Sequence, residues 1–116
     1  MDQRLSQALE FANYRQTLYL EQRRLKEKAK ASLTFVYNGG RFFVDRNLIA
    51  FLNGVTPQDE SNSIVIFDDA YNPILIEDLA KFRRDVINIY CSAANQHYQE
   101  ISELKKKRTV TAVVGL

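Results

Sequence analysis

Five of the chain's six glycine and proline residues lie between positions 39 and 73, and this clustering limits what the rest of the chain can become. The stretches 5–31 and 77–108 contain neither residue, so nothing in them interrupts a helix. The central segment holds nearly all the residues that break helices and form turns. The sequence therefore predicts two long helices that flank a central region of different structure.

Both long stretches show helical spacing of their apolar residues. In the first, Phe11, Leu18 and Leu25 recur every seven residues, and Tyr14 and Ala29 fill the adjacent turns. In the second, one helix face collects Leu79, Phe82, Val86, Ile89, Tyr90, Ala93, His97, Ile101 and Leu104. We therefore expect two amphipathic helices, 5–31 and 77–108, that pair antiparallel as a coiled-coil-like hairpin.

The central region changes to the alternating pattern of β-strands. Asn38-Gly39-Gly40 lies between aromatic and β-branched residues, and Asn-Gly supplies the positive φ angles of a tight hairpin turn. The turn-forming residues 68–72 separate Ile64–Phe67 from Pro73–Ile76 and predict a second hairpin. Between the hairpins, Asp45 is placed to cap a short helix that ends at Asn53-Gly54.

The predicted fold class is α+β, mainly α, with two β-hairpins and a short helix joining the two long helices. Residues 1–108 are expected to form a single domain, because a chain of 116 residues has room for one core. Residues 56–63 lack large apolar side chains and predict an exposed loop. Residues 109–116 are apolar and β-prone, and we expect them to form a separate C-terminal tail.

Composition excludes several classes of protein. The chain has 46% hydrophobic and 26% charged residues, which is typical of an ordered globular or coiled-coil protein. The formal net charge of +2 is too small for a field that attracts polyanions over the whole surface. The single cysteine, Cys91, forms no internal disulfide and favours a reducing compartment. No signal-peptide-like run or membrane-length apolar run is present, so we expect a cytoplasmic protein without membrane contact.

Residues that carry catalytic chemistry are scarce. His97 is the only histidine, and Cys91 lies six residues before it on a different helix face, which argues against a Cys-His nucleophilic pair. Because His97 lies within the apolar stripe, we expect it to pack with a satisfied hydrogen bond. The pairs Asp68-Asp69 and Glu77-Asp78 fit a turn and a helix N-terminus better than a cation site. The sequence predicts no enzyme, no catalytic residue, no metal, no cofactor and no small-molecule substrate.

Two basic runs are the candidate nucleic-acid contacts: Arg23, Arg24, Lys26, Lys28 and Lys30, and Lys105, Lys106, Lys107 and Arg108. Each run can neutralise phosphates, and Tyr37, Phe42 and Phe43 on the nearby hairpin can stack on bases. However, each run also lies at a helix C-terminus, where the helix dipole favours cations. In an antiparallel pair we expect the two runs at opposite ends, so that they do not form one patch.

The order helix, hairpin, hairpin, helix resembles that of prefoldin-type chaperone subunits, which oligomerise through their hairpins, although the helices here are shorter. The stretches LKEKAKASLTFVYNGGRFFVDRNLIAFL and YNPILIEDLAKFRRDVINIYCSAANQHYQEISELKKKR resemble small accessory proteins of contractile-tailed bacteriophages, including cyanophages. This second resemblance implies an accessory or virion-associated factor in the host cytoplasm or the virion. It supplies no functional residues.

The leading hypothesis is a protein-protein interaction module, acting as an assembly factor, adaptor or structural subunit. Two helices make a thin core and hairpins have open edges, so self-association as a homo-oligomer or docking to another protein supplies further burial. The predicted contact residues lie in the first hairpin and the tail: Phe42, Phe43, Val110, Val113, Val114 and Leu116. The alternative is a nucleic-acid-binding accessory protein that uses the two basic runs.

Overall fold

The computed structural model of the protein describes residues 2–57 and 61–113, and their side chains as far as Lys107. In chain order the elements are α1 (Gln3–Ser32), β1 (Thr34–Tyr37), β2 (Gly40–Phe43), α2 (Arg46–Gly54), β3 (Ile64–Phe67), β4 (Pro73–Ile76) and α3 (Leu79–Val113). The strands form two separate antiparallel sheets, β1-β2 and β3-β4. The predicted α+β fold, mainly helical with two hairpins, is confirmed.

The first hairpin turns at Asn38 and Gly39, as its sequence predicts. Their φ angles are 48° and 82°, the left-handed values that a two-residue turn of this type requires. Tyr37 therefore pairs with Gly40, and Phe35 with Phe42, across the hairpin. Asp45 then caps α2, because its carboxylate accepts a hydrogen bond from the Leu48 backbone N–H at 2.8 Å.

The helix α3 begins and ends later than its sequence pattern predicts. Asp78 is the N-terminal cap, accepting the Lys81 N–H, so the helix begins at Leu79 instead of near Glu77. At the other end the helix continues through residues 109–113, and the expected β character of this part of the tail is wrong. No glycine or proline stops the helix before Gly115, and the β-branched residues there each reduce helix propensity by only about 0.7 kcal/mol or less.

Contacts along the chain form two compact units, which we name by their content. The helix-pair unit contains α1 up to Ala29 and α3 from Asn95 onward, and the hairpin unit contains Lys30–Ala94. Whether residues 1–108 fold as a single domain stays a prediction, since a compact unit is not by itself an independently folding domain.

The core of the hairpin unit is built around one aromatic side chain of α3. Phe82 is almost completely buried, and its ring meets three rings of the first hairpin edge-on, with centroids 5.5 Å from Phe35, 5.1 Å from Tyr37 and 5.3 Å from Phe42. Edge-to-face packing of this kind adds about 0.5–1.5 kcal/mol per pair beyond the area that it buries. The remaining buried members of the core are Val44, Leu52, Ile66, Ile74, Ile76, Leu79 and Val86.

A glycine lets the two hairpins approach each other within this unit. A Cβ atom on Gly40 would lie only 2.5 Å from Cγ1 of Ile74, so a larger residue at position 40 would displace that side chain. Asn38 on the first hairpin also donates a hydrogen bond from its side chain to the Leu75 carbonyl at 3.1 Å. The inner faces of both hairpins are therefore packed against each other and against α3.

In the helix-pair unit, α1 and α3 run antiparallel, as predicted. Lys28 pairs with Glu100 at 2.6 Å, whereas Glu21, two turns earlier on α1, lies within the field of Lys107, two turns later on α3. Leu25 and Leu104 are the buried apolar residues between them. Apolar side chains are not confined to this seam, because Leu5, Leu9, Tyr19 and Leu20 are exposed on α1.

Truncation of Phe82 should destabilise the hairpin unit more than any surface change on the same helix. We expect Phe82→Ala to lower the free energy of unfolding by about 3–5 kcal/mol, because the change removes a buried ring and leaves a cavity. The matched control is Tyr98→Ala, whose side chain is 74% exposed and whose effect should stay within about 0.5 kcal/mol. Urea unfolding followed by circular dichroism measures both, and equal midpoints would contradict this account of the core.

Candidate interaction surface

A buried carboxylate fixes the turn between β3 and β4. Asp68 is 8% exposed, and its side chain accepts hydrogen bonds from the backbone N–H groups of Asn72 at 2.8 Å, Ala70 at 3.0 Å and Arg41 at 3.1 Å. The bonds from Asn72 and Arg41 are the main reason that the pKa of Asp68 is held below its ordinary value. One side chain thus closes the turn and joins it to β2.

The same turn holds an exposed aromatic residue in an uncommon conformation. Tyr71 has a φ of 60°, in the left-handed region that bulky residues rarely adopt, and its side chain is 82% exposed. Its backbone N–H donates to the Asp68 carbonyl at 3.0 Å, so the hydrogen bonds of the turn support the conformation. Such strained residues are concentrated at functional sites, where the surrounding structure determines their position.

Alternation along the second hairpin places its remaining apolar side chains on one open face. Val65 pairs with Leu75 and Phe67 with Pro73, and all four point away from the buried isoleucines of the same strands. Val65 is 59% and Phe67 66% exposed, and the Phe67 ring lies 6.3 Å from that of Tyr71. We call this surface the outer hairpin face; it consists of Val65, Phe67, Tyr71, Pro73 and Leu75. A contiguous exposed apolar patch of this kind is typical of an interaction site.

The predicted contact residues of the first hairpin have different positions. Phe42 is 2% exposed, so its prediction as a contact residue is wrong: it pairs with Phe35 on the inner face of the hairpin and packs against Phe82. Phe43, the next residue, points outward and is partly exposed. Strand alternation therefore puts only one of these two phenylalanines within reach of a partner.

The predicted contact residues of the tail are only partly described. Val110 and Val113 belong to the last turns of α3, and their side chains lie beyond those that the structure describes. Val114 and Leu116 lie outside the described residues. The role of these four residues in binding stays a prediction.

Sequence reasoning missed the outer hairpin face, although a signal was present. Ile64–Phe67 is apolar at every position, a pattern that is typical of a strand covered on both faces. Such a pattern does not tell which face the chain itself covers. The site could have been found by comparing the two faces of this hairpin. Both faces are apolar in sequence, but only one of them is buried within the chain.

The basic runs are not separated in the way we expected. Arg24 and Lys28 of the first run line the same groove of about 820 Å³ in the helix-pair unit as Lys106 and Lys107 of the second. The expectation that the runs lie at opposite ends is wrong because Lys28 meets Glu100, in the second half of α3, instead of the start of that helix. Arg23, Lys26, Lys30 and Lys105 are exposed, and the side chain of Arg108 lies outside those described.

Acidic side chains share this groove with the basic ones. Glu21 accepts two hydrogen bonds from Arg24, at 2.5 Å and 3.1 Å, and Glu100 accepts from Lys28 at 2.6 Å; Glu103 lines the groove as well. The bond from Arg24 lowers the pKa of Glu21, and the bond from Lys28 lowers that of Glu100. The groove is therefore lined by charges of both signs, which differs from the uniformly basic surface of a typical phosphate-binding protein.

The residues considered for catalysis are dispersed. His97 is half-buried, as expected for a residue in the apolar stripe, and its Nδ1 atom is enclosed without a hydrogen-bond partner among the described residues. Cys91 is exposed on α3. In residues 2–57 and 61–113, no group of three or more His, Cys, Asp or Glu side chains is arranged to hold a metal ion. Within the same ranges, no helix has the length and apolar character needed to cross a membrane.

Comparison of the chain with protein-family models, with curated proteins and with solved structures finds no match.

Protonation of Asp68 should release the turn that carries Tyr71. Because the folded-state pKa is lowered, the stabilisation is present above the ordinary pKa of 3.8 and is lost as the pH falls through the folded-state value below it. We expect the Ala70 and Asn72 amide signals in NMR spectra to shift in this acidic range. Asp68→Asn should abolish that step, since its side chain does not titrate, and the exposed Asp69→Asn control should retain it. An unchanged acid step in Asp68→Asn would contradict this role.

Proposed function

We propose that the protein is a non-catalytic protein-protein interaction module, an assembly factor, adaptor or structural subunit, that docks through its outer hairpin face. The observation that carries this proposal is the apolar surface of Val65, Phe67, Tyr71, Pro73 and Leu75, which remains exposed while the opposite face of the same hairpin is buried. Its partner is a protein, either a second copy of the chain or another chain. The proposal includes no cofactor and no small-molecule substrate.

The chemistry of the outer hairpin face supports protein binding. Aromatic residues are enriched at the centre of protein interfaces, and they supply large contact areas with few rotatable bonds. Phe67 and Tyr71 are already positioned, one by the strand and the other by the turn that Asp68 closes. Each large apolar side chain that moves from water into a contact contributes about 1.5–3 kcal/mol. Little of this energy is lost in ordering the surface, because the turn is held before binding.

The cellular setting belongs to the same proposal. The resemblance to accessory proteins of contractile-tailed bacteriophages favours a small assembly or virion-associated factor, in the host cytoplasm or in the virion. Phe43 and the C-terminal residues Val110, Val113, Val114 and Leu116 remain predicted contact residues of this module. An oligomer of identical chains is the simplest assembly for such a factor.

Nucleic-acid binding is the second candidate, and one observation favours it: Arg24, Lys28, Lys106 and Lys107 line a single groove. Against it, three glutamates line the same groove, and Phe42, a predicted base-stacking residue, is buried. This function requires affinity for DNA or RNA that falls steeply with salt. Lack of binding to an oligonucleotide at low salt excludes it.

Site-specific photo-crosslinking tests the proposed function. A photoreactive phenylalanine analogue replaces Tyr71 in the full chain, and irradiation is carried out in cells that produce the protein. The matched control carries the analogue at Tyr98, which is 74% exposed and lies on α3 in the helix-pair unit. We expect discrete protein adducts, self or foreign, at position 71 and few at position 98.

The adducts should also depend on the neighbouring ring. Phe67→Ser, introduced beside the crosslinker at position 71, removes an exposed contact without changing the core and should strongly reduce the adducts. Equal crosslinking at both positions, or no protein adduct at position 71, would show that the outer hairpin face is not a docking surface.

A further inference from the structure

The two strand edges of the second hairpin have different neighbours among the described residues. On the β4 edge, the Leu75 carbonyl accepts a hydrogen bond from the Asn38 side chain at 3.1 Å, and Pro73 has no N–H to offer. On the β3 side, Asp69 in the turn donates its backbone N–H to the Arg41 carbonyl of β2 at 2.9 Å. For the two exposed residues of the strand itself, Val65 and Phe67, the described residues offer no hydrogen-bond partner beyond β4. These two residues are where another strand can pair.

Hydrogen-bond alternation shows which backbone groups face outward on β3. Asp68 N–H donates to the Asn72 carbonyl at 3.0 Å at the turn end of the hairpin. In an antiparallel ladder, hydrogen-bonded pairs alternate with pairs that are not bonded, so Ile66 and Ile74 exchange the next bonds toward the strand centre. The N–H and C=O groups of Val65 and Phe67 therefore point away from β4. Within the described residues, neither has a hydrogen-bond partner on that side.

This edge has only one of the features by which monomeric proteins avoid strand pairing, a short strand of four residues. Natural edge strands are also commonly protected by a lysine, a proline or a bulge. The β3 sequence Ile-Val-Ile-Phe contains no charge and no proline, and it pairs with β4 residue for residue without a bulge. The backbone of β3 is thus open and apolar on the outer side.

We infer that a second copy of the chain pairs antiparallel with β3, about a two-fold axis at Ile66, and that the two hairpins form one continuous sheet. In this register Val65 lies opposite Phe67 of the partner subunit, and both are residues whose backbone groups face outward. The same pairing recurs on the other side of the axis, so β3 is complementary to itself. The inference rests on the proposed function, because it takes the second hairpin as the contact element and names its partner.

The side chains favour the same register. Val65 and Phe67 of the partner subunit form a cross-strand pair of a β-branched and an aromatic residue. Such a pair stabilises an antiparallel ladder by about 0.2–1 kcal/mol relative to a pair of alanines. Ile66 meets Ile66 of the partner subunit on the inner side, continuing the apolar inner face of each hairpin. Edge pairing leaves Tyr71 and Leu75 uncovered, so the outer hairpin face stays available to a further partner.

A cysteine at the two-fold axis tests this register. Ile66→Cys is made in a Cys91→Ser background, so that the chain has one cysteine, and the protein is oxidised with a small diffusible oxidant. Residues facing each other in a pair without hydrogen bonds have Cβ atoms about 4.5–5.5 Å apart, close enough for a disulfide after a small adjustment. The matched control is Ile74→Cys in the same background, on β4 and facing the same side.

We expect a covalent dimer from Ile66→Cys and none from Ile74→Cys, and a dimer mass for the unmodified chain by light scattering. If Ile66→Cys does not fold, Val65→Pro replaces it as the variant. This proline removes an outward N–H that the hairpin itself does not use, so it should halve the mass at unchanged helicity. Leu75→Pro, at the equivalent position on the occupied edge, should remain dimeric.

A monomer at every concentration, a dimer that Ile66→Cys does not crosslink, or a dimer that survives Val65→Pro would each overturn the edge pairing. Failure of the pairing and failure of the proposed function give different results. If only the pairing is wrong, the crosslinker at position 71 still captures another protein. If the docking surface itself is wrong, position 71 gives no protein adduct at all.

Discussion

The three backbone hydrogen bonds that Asp68 accepts are the constraint on which the presented surface depends. They keep a buried carboxylate charged, they tie β2 to the turn of the second hairpin, and they hold Tyr71 in its left-handed conformation. Without such an acceptor, three N–H groups near the core would lack partners, and leaving such groups unpaired is unfavourable. The turn is therefore rigid at the point where its aromatic side chain meets solvent.

The hairpin unit is asymmetric, and its asymmetry explains the proposed function. Its inner side is complete: Phe82 packs against three aromatic rings, Gly40 allows Ile74 to approach, and Arg83 donates to the Leu52 carbonyl at 2.8 Å near the end of α2. Its outer side carries apolar residues of the same kind without cover. Apolar surface that stays exposed on a strand face contributes no hydrophobic stabilisation to the monomer. Association with another protein would bury this surface and gain that stabilisation.

Local chemistry made most of the helices, strands and turns predictable. It did not predict which side chains of these elements are buried and which are exposed. Asn38 and Gly39 specify their turn by backbone geometry, and Asp45 specifies a cap by one hydrogen bond, so both were predicted correctly. Phe42 and Phe43 are adjacent and chemically identical, and only the pairing with β1 decides which of them is buried. Likewise, the register between α1 and α3, which brings Arg24 near Lys107, depends on tertiary contacts that helical periodicity does not contain.

Amide hydrogen exchange along β3, followed residue by residue at several protein concentrations, tests the central claim most directly. Ile66 is bonded within the hairpin and serves as an internal control, because its N–H should exchange slowly at every concentration. If β3 is the edge that pairs, the outward N–H groups of Val65 and Phe67 should exchange fast when the protein is dilute and slowly when it is concentrated. Fast exchange of both amides at concentrations where the protein is fully associated would contradict the account.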